Sequence, residues 1–534
     1  MMPIETFPYN ACDEKPFKSN PAIQFFGNRL FNDQTPIEFL LEFLLIVASR
    51  KIIDDKEEFS TSLPSYEMLI SWHNSVLKYS PKARINLKLF SFLGSSRLDS
   101  RHATHRQHHQ ELLNMLASKI DISGPGSKSD VIRTLENLFL GFQGAGGGRT
   151  WCAQSFLPVT PGLLSGETIW KESKAKKDNV HNWEQSFSCF DMKQHVFLAR
   201  GGEVLYLQIC NALRQPSSTI QSWVKESGVA LDVNEQNPEW LHAELDRELK
   251  RLMTRCPATV TQIAEFIDSG LECETSYKTD YEKDDLPRYV KAGWCPAESW
   301  QEGYLFAVDV LRLCKANLDV IDRIYLLESA CSMQVLRSLA MQSTRYSSSE
   351  HQVSWPGYRL AVSAPDEKNT AIKRISHQTA KMLEKQIFQA IRGHGVDLPK
   401  GEKEPETSLK GADRRYAGKL FVGLAKRIGF IVPRRGGGAR FVLNEQLLRL
   451  MVVTTVPGGG RVTFDTFKKR LESRHGLVFD SDGFSRANEW VEGCGVYLPS
   501  DTDAWLQGML EAAGLLIHLS DSCALVENPT GNSN

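Results

Sequence analysis

The most informative segment of this chain runs from Arg414 to His475 and reads RRYAGKLFVGLAKRIGFIVPRRGGGARFVLNEQLLRLMVVTTVPGGGRVTFDTFKKRLESRH. Its apolar spacing predicts helices over 415–429, 445–456 and 464–475. Two short apolar runs, Phe430–Arg434 and Ala439–Leu443, flank a glycine-rich segment, which predicts a β-hairpin. Helices interleaved with such a hairpin indicate a winged-helix-like region.

In the winged-helix class a helix enters the major groove of DNA while a hairpin lies on the phosphates. Glycines let backbone N–H groups and arginine side chains come close to a phosphate. The sequence therefore predicts a set of nucleic-acid-binding residues, which are Arg434, Arg435, Arg440, Arg461, Lys468, Lys469, Arg470 and Arg474.

The charge of this block supports the same interpretation. Residues 410–475 hold 15 Lys and Arg against 4 Asp and Glu, whereas the whole chain has a net charge of −1. The remainder of the chain is therefore strongly acidic. A separation of charge on this scale favours a polyanionic partner, and we expect nucleic acid, in the form of double-stranded DNA. Contact with a protein and a purely structural role for the charge stay open.

A second helix followed by a hairpin is predicted at the end of the chain. Residues 505–514 have a helical pattern, and residues 515–528 read as strand, turn and strand. This unit is acidic or neutral, so we expect it to have a structural or protein-contact role.

The sequence as a whole predicts a multidomain α+β protein that is mostly helical. A chain of 534 residues is too long for one core of ordinary size. The polar run Val396–Asp413, rich in charge and bounded by Pro and Gly, predicts a linker. The predicted parts are a helical N-terminal domain (1–140), a mixed α/β and helical middle region (150–395), the linker (396–413) and the C-terminal region (414–534).

Cysteine usage and the lengths of the apolar runs indicate the expected cellular compartment. The 11 cysteines contain no CxxC pair and are odd in number, which argues against a zinc ribbon and against a secreted disulfide scaffold. No signal peptide or membrane-spanning run is recognisable; the longest apolar stretch, Phe39–Ala48, is too short to cross a bilayer. We expect a cytoplasmic protein without membrane contact, metal or cofactor.

Signals for catalysis are weak. Gly144–Thr150 lacks the lysine of a phosphate-binding loop, so a connector is expected there. Glu172 and Lys174 form half of a nuclease-type metal site. Cys152 could be a nucleophile activated by one of the histidines, but a lone cysteine beside Trp151 is more typical of a core residue. Three histidines share one helical face and could hold a metal, but arginines flank them. These histidines are His102, His105 and His109. No catalytic residue is assigned.

Three stretches, Asn20–Leu45, Thr150–Ser173 and the 414–475 block, resemble accessory proteins encoded in multi-gene bacterial anti-phage defence islands, including the methylation-associated and PglZ/BREX-like systems. The resemblance implies a cytosolic subunit that works beside separate methyltransferase and ATPase or nuclease subunits. It carries over no catalytic residues.

Together these observations predict a non-enzymatic DNA-binding adaptor of a defence complex. The alternatives are a cryptic metal-dependent nuclease in the middle region and a protein-binding scaffold that does not touch DNA.

Overall fold

The computed structural model describes seven main segments of the chain. They are 4–80, 114–140, 201–254, 289–347, 355–393, 405–493 and 502–531, apart from positions 29, 31, 33, 55–57, 115, 521 and 522. Four two-residue strands between 144 and 191, and positions 177, 179 and 498, are described in addition.

These residues form a mostly helical α+β structure, as the sequence predicts. The helices are Lys15–Ser19, Pro21–Phe26, Pro36–Ala48, Tyr66–Ser71, Lys128–Leu140, Gly201–Leu213, Ser217–Ser227, Pro238–Thr254, Trp300–Lys315, Val320–Ser347, Thr370–Gly393, Pro405–Tyr416, Gly418–Arg427, Glu445–Thr455, Phe464–His475, Ser481–Trp490 and Ala504–Ala512.

The sheets of the described chain are small. The N-terminal sheet pairs its antiparallel strands in the order Glu58–Phe59, Arg50–Ile53, Leu77–Ser80 and Val290–Lys291. A three-stranded antiparallel sheet near the C-terminus has the order Arg461–Thr463, Cys523–Glu527 and Leu516–Ser520. The remaining sheets are pairs of short strands: Thr6–Phe7 with Cys295–Pro296, Gly144–Ala145 with Cys152–Ala153, Ile169–Trp170 with Phe190–Asp191, Leu360–Ala361 with Leu477–Val478, and Ile431–Val432 with Arg440–Phe441.

Helix Val320–Ser347, here called the central helix, lies in the middle of the core. Small buried side chains along it, such as Ala330 and Ser338, allow neighbouring helices to approach closely. Among the described helices it packs against Pro21–Phe26, Pro36–Ala48, Gly201–Leu213, Trp300–Lys315, Thr370–Gly393, Gly418–Arg427 and Glu445–Thr455. One continuous cluster of buried apolar residues extends from Ile4 to Val526. Residues on both sides of the boundaries predicted near residues 140 and 395 belong to this cluster.

Two glycines set the close packing of helix Gly201–Leu213, which is buried along its whole length. The pattern around Gly201 and Gly202 predicts a Gly-Gly turn that is followed by a strand or by the start of a helix; the structure shows the helix, with both glycines in its first turn. A Cβ atom at Gly202 would lie 2.3 Å from the backbone nitrogen of Phe43. The glycine therefore allows helix Gly201–Leu213 to approach helix Pro36–Ala48 closely, and its N–H donates to Glu42 Oε2 at 3.0 Å.

The second half of the predicted linker is helical. Helix Pro405–Tyr416 begins with a proline, which suits the first turn because its missing N–H is not needed there. An ion pair of 2.8 Å joins Glu406 and Lys410, one turn apart. Residues 405–413 of the predicted linker therefore belong to a helix, along which these two charges pair.

Candidate nucleic-acid interface

The predicted hairpin is present and is called here the glycine hairpin (Ile431–Phe441). Strand Ile431–Val432 pairs antiparallel with Arg440–Phe441, with Val432 opposite Arg440. Gly436 and Gly438 have φ values of +93° and +76°, a conformation that side chains with a Cβ rarely adopt. The tip therefore depends on glycine for its backbone path.

Arg434 and Arg435 lie at the exposed tip of the glycine hairpin. Across the described residues, neither guanidinium group has an ion pair or a hydrogen bond to another side chain. A Cβ atom placed on Gly436, Gly437 or Gly438 would meet no heavy atom within 4 Å. Both arginines are thus open to an external anion.

Arg440, at the base of the hairpin, has a different role. Its guanidinium donates to Ser363 Oγ at 2.5 Å, to the Ala364 carbonyl at 2.7 Å and to the Pro365 carbonyl at 2.7 Å. Burial lowers the pKa of Arg440. These three bonds fix the hairpin to the segment 363–365, so most donors of Arg440 are already used.

The hairpin lies against helix Thr370–Gly393, called here the basic helix. His377 Nδ1 is 2.8 Å from the Ala439 carbonyl, and Ser376 Oγ accepts a hydrogen bond of 2.9 Å from the Phe441 N–H. Arg374 and Lys381 stand one turn before and one turn after His377 on the same side of the helix, and both are exposed. The helix therefore extends the positive surface of the hairpin.

Lys385 continues this row one turn beyond Lys381 and is also exposed. The acidic residue within the row is Glu384, whose carboxylate is 3.5 Å from Lys381 Nζ in a solvent-exposed pair. Exposed pairs of this kind contribute little and are screened by salt. The row keeps its positive character.

Lys468 does not belong to this surface. Its Nζ lies 2.5 Å from Asp503, 3.1 Å from Asp465 and 3.2 Å from Asp480. Burial lowers the pKa of Lys468, but hydrogen bonds to these carboxylates outweigh burial and raise it above its ordinary value. Three carboxylates thus neutralise a lysine that the sequence predicts to face phosphate.

The two neighbours of Lys468 have separate environments. Lys469 is exposed and, within the described chain, has no ion pair. Arg470 donates a hydrogen bond of 2.7 Å to the Thr455 carbonyl, and burial lowers the pKa of its guanidinium. Lys469 alone in this run stays available to an external anion.

Arg474 is a core residue, and its predicted phosphate contact is wrong. Its side chain is fully buried and donates a short hydrogen bond to Asp309 Oδ1. Asp309 Oδ2 accepts a second bond, of 2.7 Å, from Arg337. Burial alone would raise the pKa of Asp309, but Arg474 and Arg337 outweigh burial and lower that pKa below its ordinary value of 3.8.

Arg461 lies in the three-stranded sheet and not in the glycine hairpin. Its Nε and Nη2 donate to Glu527 Oε1 at 3.0 Å and 2.8 Å, across the strand pair in which these two residues are opposite. This pair is partly exposed, and it neutralises an arginine that a count of charges within residues 410–475 treats as unpaired.

The structure therefore brings together Arg434 and Arg435 and adds the basic helix, which sequence reasoning did not assign to the site. The signal was present, because Arg374, Lys381 and Lys385 follow helical spacing on one face. The sequence does not show the contact between His377 and Ala439, which joins segments more than sixty residues apart and places the helix beside the hairpin.

The candidate catalytic and metal-binding residues lie outside the described side chains. This holds for the histidines at 102, 105 and 109, for Glu172 and Lys174, and for the side chain of Cys152. Among the residues that the structure does describe, no group of three or more His, Cys, Asp or Glu side chains could hold a metal ion.

Comparison of the chain with protein-family models, with curated proteins and with solved structures gave no match. None of the helices in the described segments is both long and apolar enough to span a bilayer.

Proposed function

We propose that this protein binds nucleic acid through the glycine hairpin and the exposed face of the basic helix, and that it acts as a non-enzymatic adaptor. The observation that carries the proposal is the contrast between the arginines of the C-terminal block. Arg434 and Arg435 are exposed without a described ion-pair partner, whereas Arg461 and Arg474 are paired with carboxylates.

Cations without a carboxylate partner are suited to phosphate, because binding releases counterions from the nucleic acid and requires no internal ion pair to break. Arginine also offers a planar fork of donors that matches two phosphate oxygens. Arg374, Lys381 and Lys385 add charge beside the hairpin. Such a surface recognises the backbone rather than the base sequence, so affinity is expected to vary little with sequence.

The experiment is a salt series on binding of double-stranded DNA to the full-length protein. The logarithm of the association constant should fall linearly with the logarithm of salt concentration, by about 0.9 for each phosphate contacted. Replacing Arg434 and Arg435 together by alanine should weaken binding to every duplex and reduce the slope by up to about 1.8.

Arg461→Ala is the matched control. This arginine is also exposed, but it pairs with Glu527 on a different sheet, so its loss should leave DNA affinity and salt slope unchanged. Equal affinity of the wild type and the folded double variant would refute the proposed surface.

A second function, contact with another protein, is favoured by the C-terminal sheet. Helix Glu445–Thr455, strand Arg461–Thr463, further helices and a terminal hairpin follow one another along the chain, and this order supports the proposal of a winged-helix-like unit. In such a unit helix Ala504–Ala512 would precede the hairpin, yet it contains no Lys or Arg to meet DNA. Leu519 in the following hairpin is 61% exposed.

We propose that this unit docks a protein partner, which the resemblance to defence islands suggests is another subunit of such a system. Co-expression with the products of neighbouring genes, followed by affinity purification, tests the proposal. Leu519→Asp should reduce recovery of the partner without changing DNA affinity. Unchanged recovery would remove this surface from consideration.

A further inference from the structure

The exposed row of the basic helix ends in an aromatic side chain. Phe388 is 49% exposed, and it lies one turn after Lys385 and two turns after Lys381 on the same face. Single exposed apolar residues are common on protein surfaces and need no explanation by themselves. The surroundings of Phe388 give it a more specific character.

Arg392, one turn further along, stacks on the ring of Phe388. The carbon at the centre of its guanidinium is 3.3 Å from the ring centroid. Asp413 on helix Pro405–Tyr416 fixes this guanidinium with two parallel hydrogen bonds, of 3.1 Å from Nη1 and 2.6 Å from Nη2. A fork of this kind holds the plane of the guanidinium in one orientation.

The arrangement therefore presents a half-exposed ring with a guanidinium stacked on it, at the end of a row of cations. Aromatic side chains that alternate with basic ones are the means by which proteins hold unpaired nucleotides, since the cations follow the backbone while a base stacks on the ring. Base pairs in a duplex are stacked on each other and offer no free face to such a ring.

We propose that the basic helix binds single-stranded nucleic acid, with an unpaired base stacked on Phe388 and the backbone along Lys385 and Lys381. This inference rests on the proposed function and specifies its ligand: the protein should prefer a single strand, or a duplex with an unpaired extension, to a fully paired duplex. Because every base has an aromatic face, the stacking is tolerant of sequence.

The test uses the full-length protein with fluorescein-labelled oligodeoxynucleotides, one single-stranded and without self-complementarity, the other its blunt duplex. Phe388→Ala should weaken binding of the single strand by about 5- to 150-fold, the usual effect of removing one stacking ring. Binding of the duplex should not change. Phe388→Trp should retain single-strand affinity, and Phe388→Leu, which keeps an apolar side chain but no ring, should not.

Ile321→Ala is the matched control, because Ile321 is 49% exposed on the central helix. Its affinity should equal that of the wild type. A strand that carries 2-aminopurine gives a direct signal of stacking, since its fluorescence should be quenched by the wild type and not by Phe388→Ala.

The possible failures are distinguishable. Equal single-strand affinity of the wild type and Phe388→Ala, with both forms of DNA bound, would overturn the stacking inference and leave the proposed function in place. If the wild type binds neither oligonucleotide, the proposed function is overturned, and this inference with it.

Discussion

Replacement of Asp309 by asparagine tests whether the buried ion pairs of Arg474 and Arg337 with Asp309 stabilise the fold. Asp309 is 3% exposed, and its carboxylate serves two buried guanidinium groups, those of Arg337 and Arg474. Asparagine keeps the volume but removes the negative charge. Breaking a buried ion pair by removing one partner costs about 3–5 kcal/mol, because the remaining charge is left uncompensated.

Two guanidinium groups lose their counter-charge at once, so we expect a cost at the upper end of that range, about 5 kcal/mol. Unfolding free energies are typically about 5–15 kcal/mol, so the variant should lose a third or more of its stability. Urea denaturation at neutral pH, followed by tryptophan fluorescence, measures this loss as a shift of the transition midpoint.

Asp232→Asn provides the matched control. Asp232 is also close to an arginine, with 3.9 Å between its Oδ2 and Arg312 Nη2, but its side chain is 58% exposed. The control should change stability by less than about 1 kcal/mol, as exposed pairs do. A cost below about 1 kcal/mol for Asp309→Asn itself would contradict this prediction, because it would mean that the two arginines are solvated.

Two further predictions concern the core. Gly202→Ala should destabilise the protein by at least about 1–3 kcal/mol, because its Cβ would overlap the backbone of the helix Pro36–Ala48. Gly508→Ala is the control: a Cβ there meets nothing within 4 Å, so this variant should be more stable by about 0.5–1 kcal/mol in the same denaturation assay. Unchanged stability of Gly202→Ala would contradict the close packing of the two helices. Burial, with the charges of Arg337 and Arg474, lowers the pKa of His475 well below its ordinary value of 6.5. The unfolded chain therefore binds a proton below about pH 6.5 that the folded protein does not, so stability should fall by up to about 1.4 kcal/mol per pH unit on acidification. His475→Phe should remove this part of the pH dependence in denaturation curves at pH 7.5 and 5.5, and an unchanged difference between the two would assign it to other groups.

Local pattern predicted several elements of the C-terminal region, although the helix expected over 415–429 is divided between Pro405–Tyr416 and Gly418–Arg427, and helix Ser481–Trp490 was not predicted. The structure places helices at Glu445–Thr455 and Phe464–His475, close to the predicted bounds, and the hairpin at Ile431–Phe441. Each is encoded nearby: Asn444 and Thr463 cap the two helices, and glycines make the turn. Such signals lie within a few residues of the element that they form, so a sequence can show them.

The partners of the charged side chains could not be predicted in the same way. Arg474 pairs with Asp309 and Arg461 with Glu527, across separations of 165 and 66 residues. Counting charge in a window treats all these cations as equivalent, and no periodicity in the chain reports a pairing between distant segments. The same limit hid the basic helix, which becomes part of the surface only through its contact with the hairpin.

The difference between a free and a neutralised cation in this protein follows from how far the backbone stands from other segments. Lys468 lies on a helix packed into the fold, and carboxylates from three positions reach it within 3.2 Å. The glycine hairpin extends beyond its neighbours, since even an added Cβ at Gly436 to Gly438 would meet no heavy atom within 4 Å. An ion pair needs its charged atoms within about 4 Å. The three glycines therefore do more than close a turn: by carrying Arg434 and Arg435 past the reach of the carboxylates in the described fold, they keep two positive charges available for a partner from outside the chain.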